Sequence, residues 1–551
     1  MEASDSGQDI GPTTTLKTDE PPTNYPKGLS LFLICTGLSL SVLCLGLDRT
    51  IVSTAIPKIT SDFNSLPDIG WYGSAYMLTS CCFQLIFGKL YAELDIKWLF
   101  LFALAIFEVG SIICAAAPNS AALIIGRAVA GIGAAGILTG ALVILAHSVS
   151  LRNRPRVTGI MGGVVGISQM IAPTLGGVFT DYLTWRWCFW ISLPLGAVTL
   201  AAVFFLVHLP ASATTQWKGG SAADIFRRFD LLGNSVLIPS VVSLLLALEW
   251  GGTKYAWSSW RVILTLTVFS VTILAWGAIQ YVSGDNATVP LRIIRGRSMA
   301  SAMWYTFCIM GVFFTLVQFI PVWFQSIKDD SAYQSGIDLL ASTVPLSVFI
   351  VVSGFLTSKI GYYVPQMIVG TVATSVATGM ITVFGLDTNT SYWIGTLILL
   401  GFGLGIGAQQ PVMIPQTVLT GPDISLGTSV IIFSQTISGT VWVSVANNIF
   451  HDTLVSELAA RAPTVDPEAV VLSGASEIPL RLGPIYPDAI GDILASYSTA
   501  LQKLWIIPLV LSCLSAIALA FVEWKSVKGP DPRAPTPSGD EEKTSDPESV
   551  T

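Results

Sequence analysis

The chain has 551 residues, of which 52% are hydrophobic and only 11% charged, with a mean hydropathy of +0.67 and a formal net charge of −7. Soluble domains carry roughly a quarter of charged residues, so this composition excludes an ordinary soluble domain and describes a polytopic membrane protein. The acidic excess sits mostly in polar tails and one long loop, which argues for no charged partner and excludes nucleic-acid binding.

In chain order, residues 1–27 are polar, rich in Pro and Thr and without an apolar h-region, so no cleavable signal peptide is expected and the first span directs insertion. This segment and the tail from Lys525 read as disordered, giving cytoplasmic tails at 1–30 and 525–551. A bilayer core needs about 20 apolar residues per helix. That length predicts spans near 31–55, 69–91, 98–117, 121–147, 156–178, 186–208, 231–250, 260–282, 299–323, 335–357, 363–385, 392–414, 426–449 and 502–524. Fourteen is even, so both termini share one side. With the N-terminus inside, the inner loops collect Lys89, Lys97, Arg152, Arg154, Arg156, Lys218, Arg227, Arg228, Arg292, Arg295, Arg297 and Lys359. The short outer loops hold only Lys58, Arg186, Lys254, Arg261 and Lys328, which makes both termini cytoplasmic. The long loop 450–501 is then extracytoplasmic, and Asn389-Thr390-Ser391 is an outside glycosylation acceptor.

The spans repeat. GKLYAELDIKW from Gly88, between spans 2 and 3, corresponds to GFLTSKIGYYV from Gly354, between spans 10 and 11. Likewise GIGAAG in span 4 corresponds to GLGIG in span 12, if spans 7 and 8 are an insertion. The expected fold is all-α and integral to the membrane: two six-helix bundles built as inverted repeats, at 31–208 and 299–524, joined by a linker at 209–298 that carries two inserted helices. Repeats framing a site near the bilayer midplane are typical of secondary transporters.

Ionisable groups inside spans cost about 2.5–3.5 kcal/mol each on insertion scales, which makes them functional candidates. Asp48, late in span 1, and Arg127, early in span 4, fall at similar depth in the outer half. Such a pair is either a static lock or a proton-coupling device in which the carboxylate is protonated when the partners separate. Glu108 is central in span 3, either functional or protonated and hydrogen-bonded in the helix pack. Arg49 either snorkels to the outer interface or partners Glu108, while Glu249 and Asp338 read as interfacial. Gln84, Gln169, Gln318, Gln409, Gln410 and Gln435 recur where a central cavity would be lined. Aromatics crowd span 9, including Trp304, Phe313 and Phe314, where packing and interfacial anchoring compete with a ligand role.

The chain has no G-x-x-x-x-G-K-[ST] loop for ATP and no nucleophile elbow. Its three histidines, His147, His208 and His451, are too scattered for a metal cluster, and all eight cysteines fall in apolar runs as packing residues. No enzyme activity, catalytic residue, metal or cofactor is therefore expected. Span 5 holds small-xxx-small pairs at Gly159/Gly163, Gly162/Gly166 and Ala172/Gly176, and Pro173 bends it, so it reads as a closely packed, kinked helix.

RAVAGIGAAG after Gly126, APTLGGVFTDYLTWRWCFWISLPLG from Ala172 and LDRTIVSTAIPKI from Leu47 resemble segments of the major facilitator superfamily. Within it the chain is similar to the fourteen-span drug:proton antiporters in their fungal form, which expel toxins, drugs and secondary metabolites. The resemblance implies a proton-transfer role for Arg127 and a span 1 acidic motif at Asp48. It places the antiporter motif on Ala172, Pro173, Gly176 and Gly177, with Gly166 in the same packing seam. The inner-loop gating motif falls on Gly88, Leu90 and Lys97, but its acidic position is Ala92 and its second glycine is Asp95, leaving Glu93 or Asp95 as the substitute carboxylate.

The expected function is export of a small hydrophobic or amphipathic compound in exchange for protons by alternating access, by a monomer in the plasma membrane or, alternatively, a vacuolar or vesicle membrane. Its partners are then the small-molecule substrate, protons and the lipid bilayer. The alternatives are a proton-coupled importer of a nutrient or iron chelate, and a non-transporting membrane sensor.

Overall fold

The computed structural model describes Pro26 and residues 28–63, 65, 68–207, 221, 224, 227–252, 255–467, 470, 478 and 482–528. Most of the two tails, His208, Lys218 and Lys254 lie outside the described residues. Helix is the only extended regular structure among those described, since in lipid each segment must satisfy its own backbone groups. The crossing helices are α1 (Leu29–Phe63), α2 (Ile69–Glu93), α3 (Ile96–Ala115), α4 (Ser120–Ser148), α5 (Arg154–Tyr182), α6 (Trp187–Leu206) and α7 (Leu231–Trp250). They continue with α8 (Trp260–Ser283), α9 (Arg297–Ile327), α10 (Ala332–Ile360), α11 (Val364–Ile381), α12 (Thr390–Val418), α13 (Asp423–Arg461) and α14 (Ile490–Phe521).

Thirteen of these are long and apolar enough to cross a membrane. The fourteenth, α2, has the length at 25 residues but carries Ser, Thr, Gln and Lys. It does not need a lipid-facing surface all round, because α4 flanks it on one side and α13 on another, and Gln84 and Lys89 are buried. Short polar residues start several helices by accepting from otherwise unpaired N–H groups: Asp95 for α3, Asn119 for α4, Asp230 for α7, Ser331 for α10 and Asn389 for α12. Gly361, at φ 97°, ends α10 in the left-handed region that glycine tolerates.

The helix pairings repeat between α1–α6 and α9–α14. In the first bundle α1 packs on α5 and α6, α2 on α4, and α3 on α4; in the second, α9 packs on α13 and α14, α10 on α12, and α11 on α12. Within each bundle the first three helices pair with the last three, α1 with α5 and α2 with α4 in the same direction, α1 with α6 and α3 with α4 in opposite directions. Between bundles the contacts are also symmetric, α5 against α10 and α2 against α13. The inserted α7 and α8 form a hairpin that docks through α7 onto α2 and α13, while α8 is almost wholly exposed to the surroundings. A buried knot fixes the base of this hairpin: the Asp230 carboxylate accepts from Gln280 Nε2 at 2.6 Å and from Thr288 N and Oγ1, both at 2.9 Å.

The region expected as a loop at 450–501 is partly helical. Helix α13 runs on to Arg461 and α14 begins at Ile490, both beyond the predicted spans. Leu454 and Leu458 on one helix and Ile493 and Tyr497 on the other face each other at i, i+4 spacing and bury a small satellite core. At 39 residues, α13 is about 58 Å long, far more than a bilayer core requires, so its last turns project beyond it.

Candidate functional site

An even number of crossings puts both chain ends on one face, here called the terminal face. The helix starts fix depth: odd-numbered helices of α1–α6 leave the terminal face, and even-numbered ones return to it. Asp48 on outgoing α1 and Arg127 on returning α4 consequently meet at one level. Arg127 Nη1 donates to Asp48 Oδ2 at 2.7 Å, with the two side chains 2% and 4% exposed. Arg127 Nε also donates to the Tyr72 carbonyl at 2.9 Å, and its guanidinium lies 4.4 Å from the Tyr76 ring centroid. This is a desolvated, geometrically fixed pair, strong while both charges are present and strongly disfavoured once one is lost.

Glu108 of α3 is buried nearby and does not pair with Arg49. Ser192 Oγ of α6 donates to its Oε2 at 3.4 Å, and its Oε1 lacks a hydrogen-bond partner. Gly196 faces this carboxylate, and a side chain there would collide with it.

On the terminal side the two bundles close on each other. At the α5–α10 crossing, a Cβ on Gly159 would stand 3.1 Å from Gly354 Cα, so backbone lies on backbone. At the α2–α13 crossing, Gly88 takes the equivalent place against Ser429. Gly162 abuts Ile350 and Gln409, Gly163 abuts Val351, and Gly166 abuts Ser347, all from the other bundle. Ser358 Oγ donates to the Arg152 carbonyl at 2.6 Å and Arg154 Nη1 to the Gln416 carbonyl at 3.3 Å, both across the seam. The antiporter-motif residues lie further along α5. Gly176 packs against Thr54 and Ile51 of α1 in its own bundle, Ala172 is fully buried, and Gly177 meets nothing. Contact with the opposite bundle thus falls to Gly159, Gly162, Gly163 and Gly166, and contact within the bundle to Gly176.

The inner-loop residues divide their tasks. Asp95 is spent on capping α3, accepting from Trp98 N at 3.0 Å, and Lys97 Nζ donates to the Phe204 carbonyl at 2.6 Å. Leu90 is half-buried. Glu93 is the carboxylate with ionic partners: Lys89 at 3.5 Å and Arg228 of the inserted segment. Arg292, in the loop before α9, pairs with both Asp285 and Asp423, and these carboxylates raise its already high pKa.

On the other side the bundles part around a cavity of about 510 Å³. Its walls come from the ends of α1, α2, α7, α9 and α13 remote from the terminal face, with Trp71, Met77, Leu245, Phe314 and Val443 as apolar surface. Polar groups are few: Arg49, Ser74, Glu249, Gln318, Thr440 and Ser444 among them. Of the six glutamines expected to line it, Gln318 alone does so. Gln84 hydrogen-bonds Thr139 inside the first bundle, and Gln410 bonds Ser353 at 2.6 Å and Thr357 at 3.0 Å inside the second. Gln409 lies in the seam against Gly162, while Gln169 and Gln435 are half-buried outside the cavity lining. Phe314 joins the wall, whereas Trp304 turns to the Leu514 carbonyl at 2.9 Å. Sequence reading placed Glu249 at an interface and Arg49 either at the outer interface or beside Glu108. Their charge within a span was the signal that marked them, but which way they face depends on the docking of α1 and α7.

A family model described as the Major Facilitator Superfamily matches residues 38–445. The chain is 45% identical over 517 residues to an MFS-type efflux pump of Arthroderma benhamiae, covering 94% of this chain and 96% of that one. It is 44% identical over 507 residues to an efflux pump, aflT, of Aspergillus parasiticus, covering 92% and 98%. Among solved structures, a proton:xylose symporter of the superfamily superposes with a TM-score of 0.60 at 11% identity, over 91% of this chain and 97% of that one, a likeness of fold alone. Fold, paired bundles and sequence agree: this chain belongs to the major facilitator superfamily.

Proposed function

We propose that the chain is an efflux transporter that expels a small hydrophobic or amphipathic organic compound in exchange for protons by alternating access. The observation that carries this is the asymmetry of the space between the bundles. A mostly apolar cavity lies on one side and a glycine-lined seam closes the other, as expected of one state of a transporter whose two halves rock about a central site. Relatives at 45% and 44% identity that are named efflux pumps support the outward direction, and a secondary metabolite or toxin is the substrate class their kind suggests. With the terminal face in the cytoplasm, the cavity opens outward, and Asn389, at the start of α12, lies on the glycan-accessible side. The plasma membrane is the proposed location and the monomer the proposed unit.

Proton coupling falls to Asp48. In the outward-facing state Arg127 pairs with it at 2.7 Å. A proton arriving on Oδ2 removes the attraction, frees the guanidinium toward Tyr76 and lets α1 and α4 shift, and its release inside restores the pair. Glu108, with an unsatisfied oxygen, is the second proposed proton carrier. One proton entering down about 100 mV gains roughly 2.3 kcal/mol, and a tenfold substrate gradient costs about 1.4, so one proton suffices for more than tenfold.

The test is retention of an amphipathic fluorescent dye by yeast cells lacking their own pumps. Expression should lower retention, and a protonophore should abolish the difference. Equal retention with and without protonophore would end the proton reading, and dye accumulation above control would favour import.

A further inference from the structure

Charge within the cavity is distributed in a way that bears on what it holds. Arg49 follows Asp48 on α1, but whereas Asp48 is committed to Arg127, no carboxylate among the described residues lies within ion-pairing distance of Arg49. Arg49 is half-buried and lines the cavity, as do Met77, Phe314 and Val317. Gln318 stands at matching depth on α9, the equivalent helix of the other bundle, about 30 Å from each helix start at ~1.5 Å per residue. Glu249, the cavity's one acidic residue, is engaged by Ser74 at the neighbouring turn of α2. A cation not held in an ion pair in a mostly apolar pocket is costly, and remains charged because Arg does not deprotonate.

We propose, building on the transport reading above, that Arg49 is the specificity-determining residue of the cavity and that the substrate is an amphipathic organic acid bound as its anion. Its carboxylate, enolate or phenolate oxygen accepts from the Arg49 guanidinium, Gln318 donates from the facing bundle, and the apolar body lies against Trp71, Phe314 and Val317. Glu249 disfavours the opposite arrangement, repelling an anion placed at the α7 wall and so fixing the headgroup at α1. Exchange of one inward proton for one outward anion then moves two charges in the direction favoured by an inside-negative potential.

The test compares three ligands of one body and three heads, pyrenebutyrate, pyrenebutanol and a pyrenebutyl-trimethylammonium salt, by energy transfer from protein tryptophan to pyrene in the purified full chain. Pyrenebutyrate should bind at least about tenfold more tightly than the alcohol, the size of one charge-assisted hydrogen bond. Arg49→Gln should erase that preference by weakening binding of the acid far more than of the alcohol, and Arg49→Lys should keep part of it; their unfolding temperatures should match the parent. Equal affinity for acid and alcohol, a preference surviving Arg49→Gln, tightest binding of the ammonium compound, or no saturable binding of any of the three would each overturn the proposal. Binding requires no turnover, so a chain that selects the anion but shows no proton-driven flux would refute the transport reading and leave this one standing.

Discussion

The two bundles share a fold and differ in what they bury. Among the described residues the first buries Asp48, Lys89, Glu108, Arg127 and Arg154, whereas the second buries no charged side chain and is joined by neutral groups. Where α10 and α12 meet, Gln410 bonds Ser353 and Thr357, and where α11 and α14 meet, Thr378 and Ser512 hydroxyls lie 3.0 Å apart. Neutral hydrogen bonds hold helices in lipid at modest cost and do not change with proton supply. An ion pair there is expensive and can be switched by one proton. The repeated architecture therefore supplies two bundles, and among the described residues only the first of them buries ionisable side chains.

Breaking this contrast on the charged side should produce the largest effect. Asp48→Asn is expected to lower proton-dependent efflux at least about 100-fold, and Arg127→Ala to cost about 3–5 kcal/mol by leaving a buried carboxylate unpaired. Dye efflux and thermal unfolding in detergent measure these, and proton-dependent efflux by Asp48→Asn would reduce the pair to a static lock. Next come the helix crossings. Gly354→Leu should hold the terminal seam apart, costing about 1–3 kcal/mol, stopping efflux and speeding maleimide labelling of a Ser358→Cys reporter. Unchanged labelling would show that the seam is not what closes that face. Gly176→Leu should also stop efflux, but by wedging α5 from α1, with the reporter unaffected.

On the neutral side, Gln410→Leu leaves Ser353 and Thr357 without their amide partner and should lose about 1–3 kcal/mol of stability while efflux per folded molecule persists. Loss of proton dependence in that variant would spread coupling to both bundles. The smallest effects sharpen the reading of the α5 motif. Ala172→Gly should cost about 0.5–1 kcal/mol through helix propensity alone. Gly177→Ala, pointing into open space, should be neutral within about 0.5 kcal/mol, and a large loss of efflux there would place an unseen partner at that surface in the other transport state.

The Asp48–Arg127 contact was legible because helix rise alone sets depth, and two rare charges at one depth have few other partners. The G-x-L repeat from Gly88 and Gly354 was equally legible, and both of these glycines meet the other bundle. The glutamines were not legible. Gln84 and Gln410 carry the same side chain as Gln318, but their rotation about the helix axis turns them into bundle interiors that supply Thr139 and Ser353. Likewise Glu93 and Asp95 were equivalent candidates until Asp95 fell at a helix start, where capping claimed it, and Glu93 fell beside Lys89 and Arg228.

The sequence by itself determined the membrane class, the crossings and the internal repeat, because hydropathy over a span and small-residue spacing act locally along the chain. Only the tertiary structure decided which face of each helix meets the cavity. Lipid tails are as apolar as a helix interior, so a membrane helix carries no strong polar stripe to announce its buried side. Which of Arg49, Glu249 and the glutamines look into one space is settled by how α1, α7, α9 and α13 dock, a property no single segment encodes.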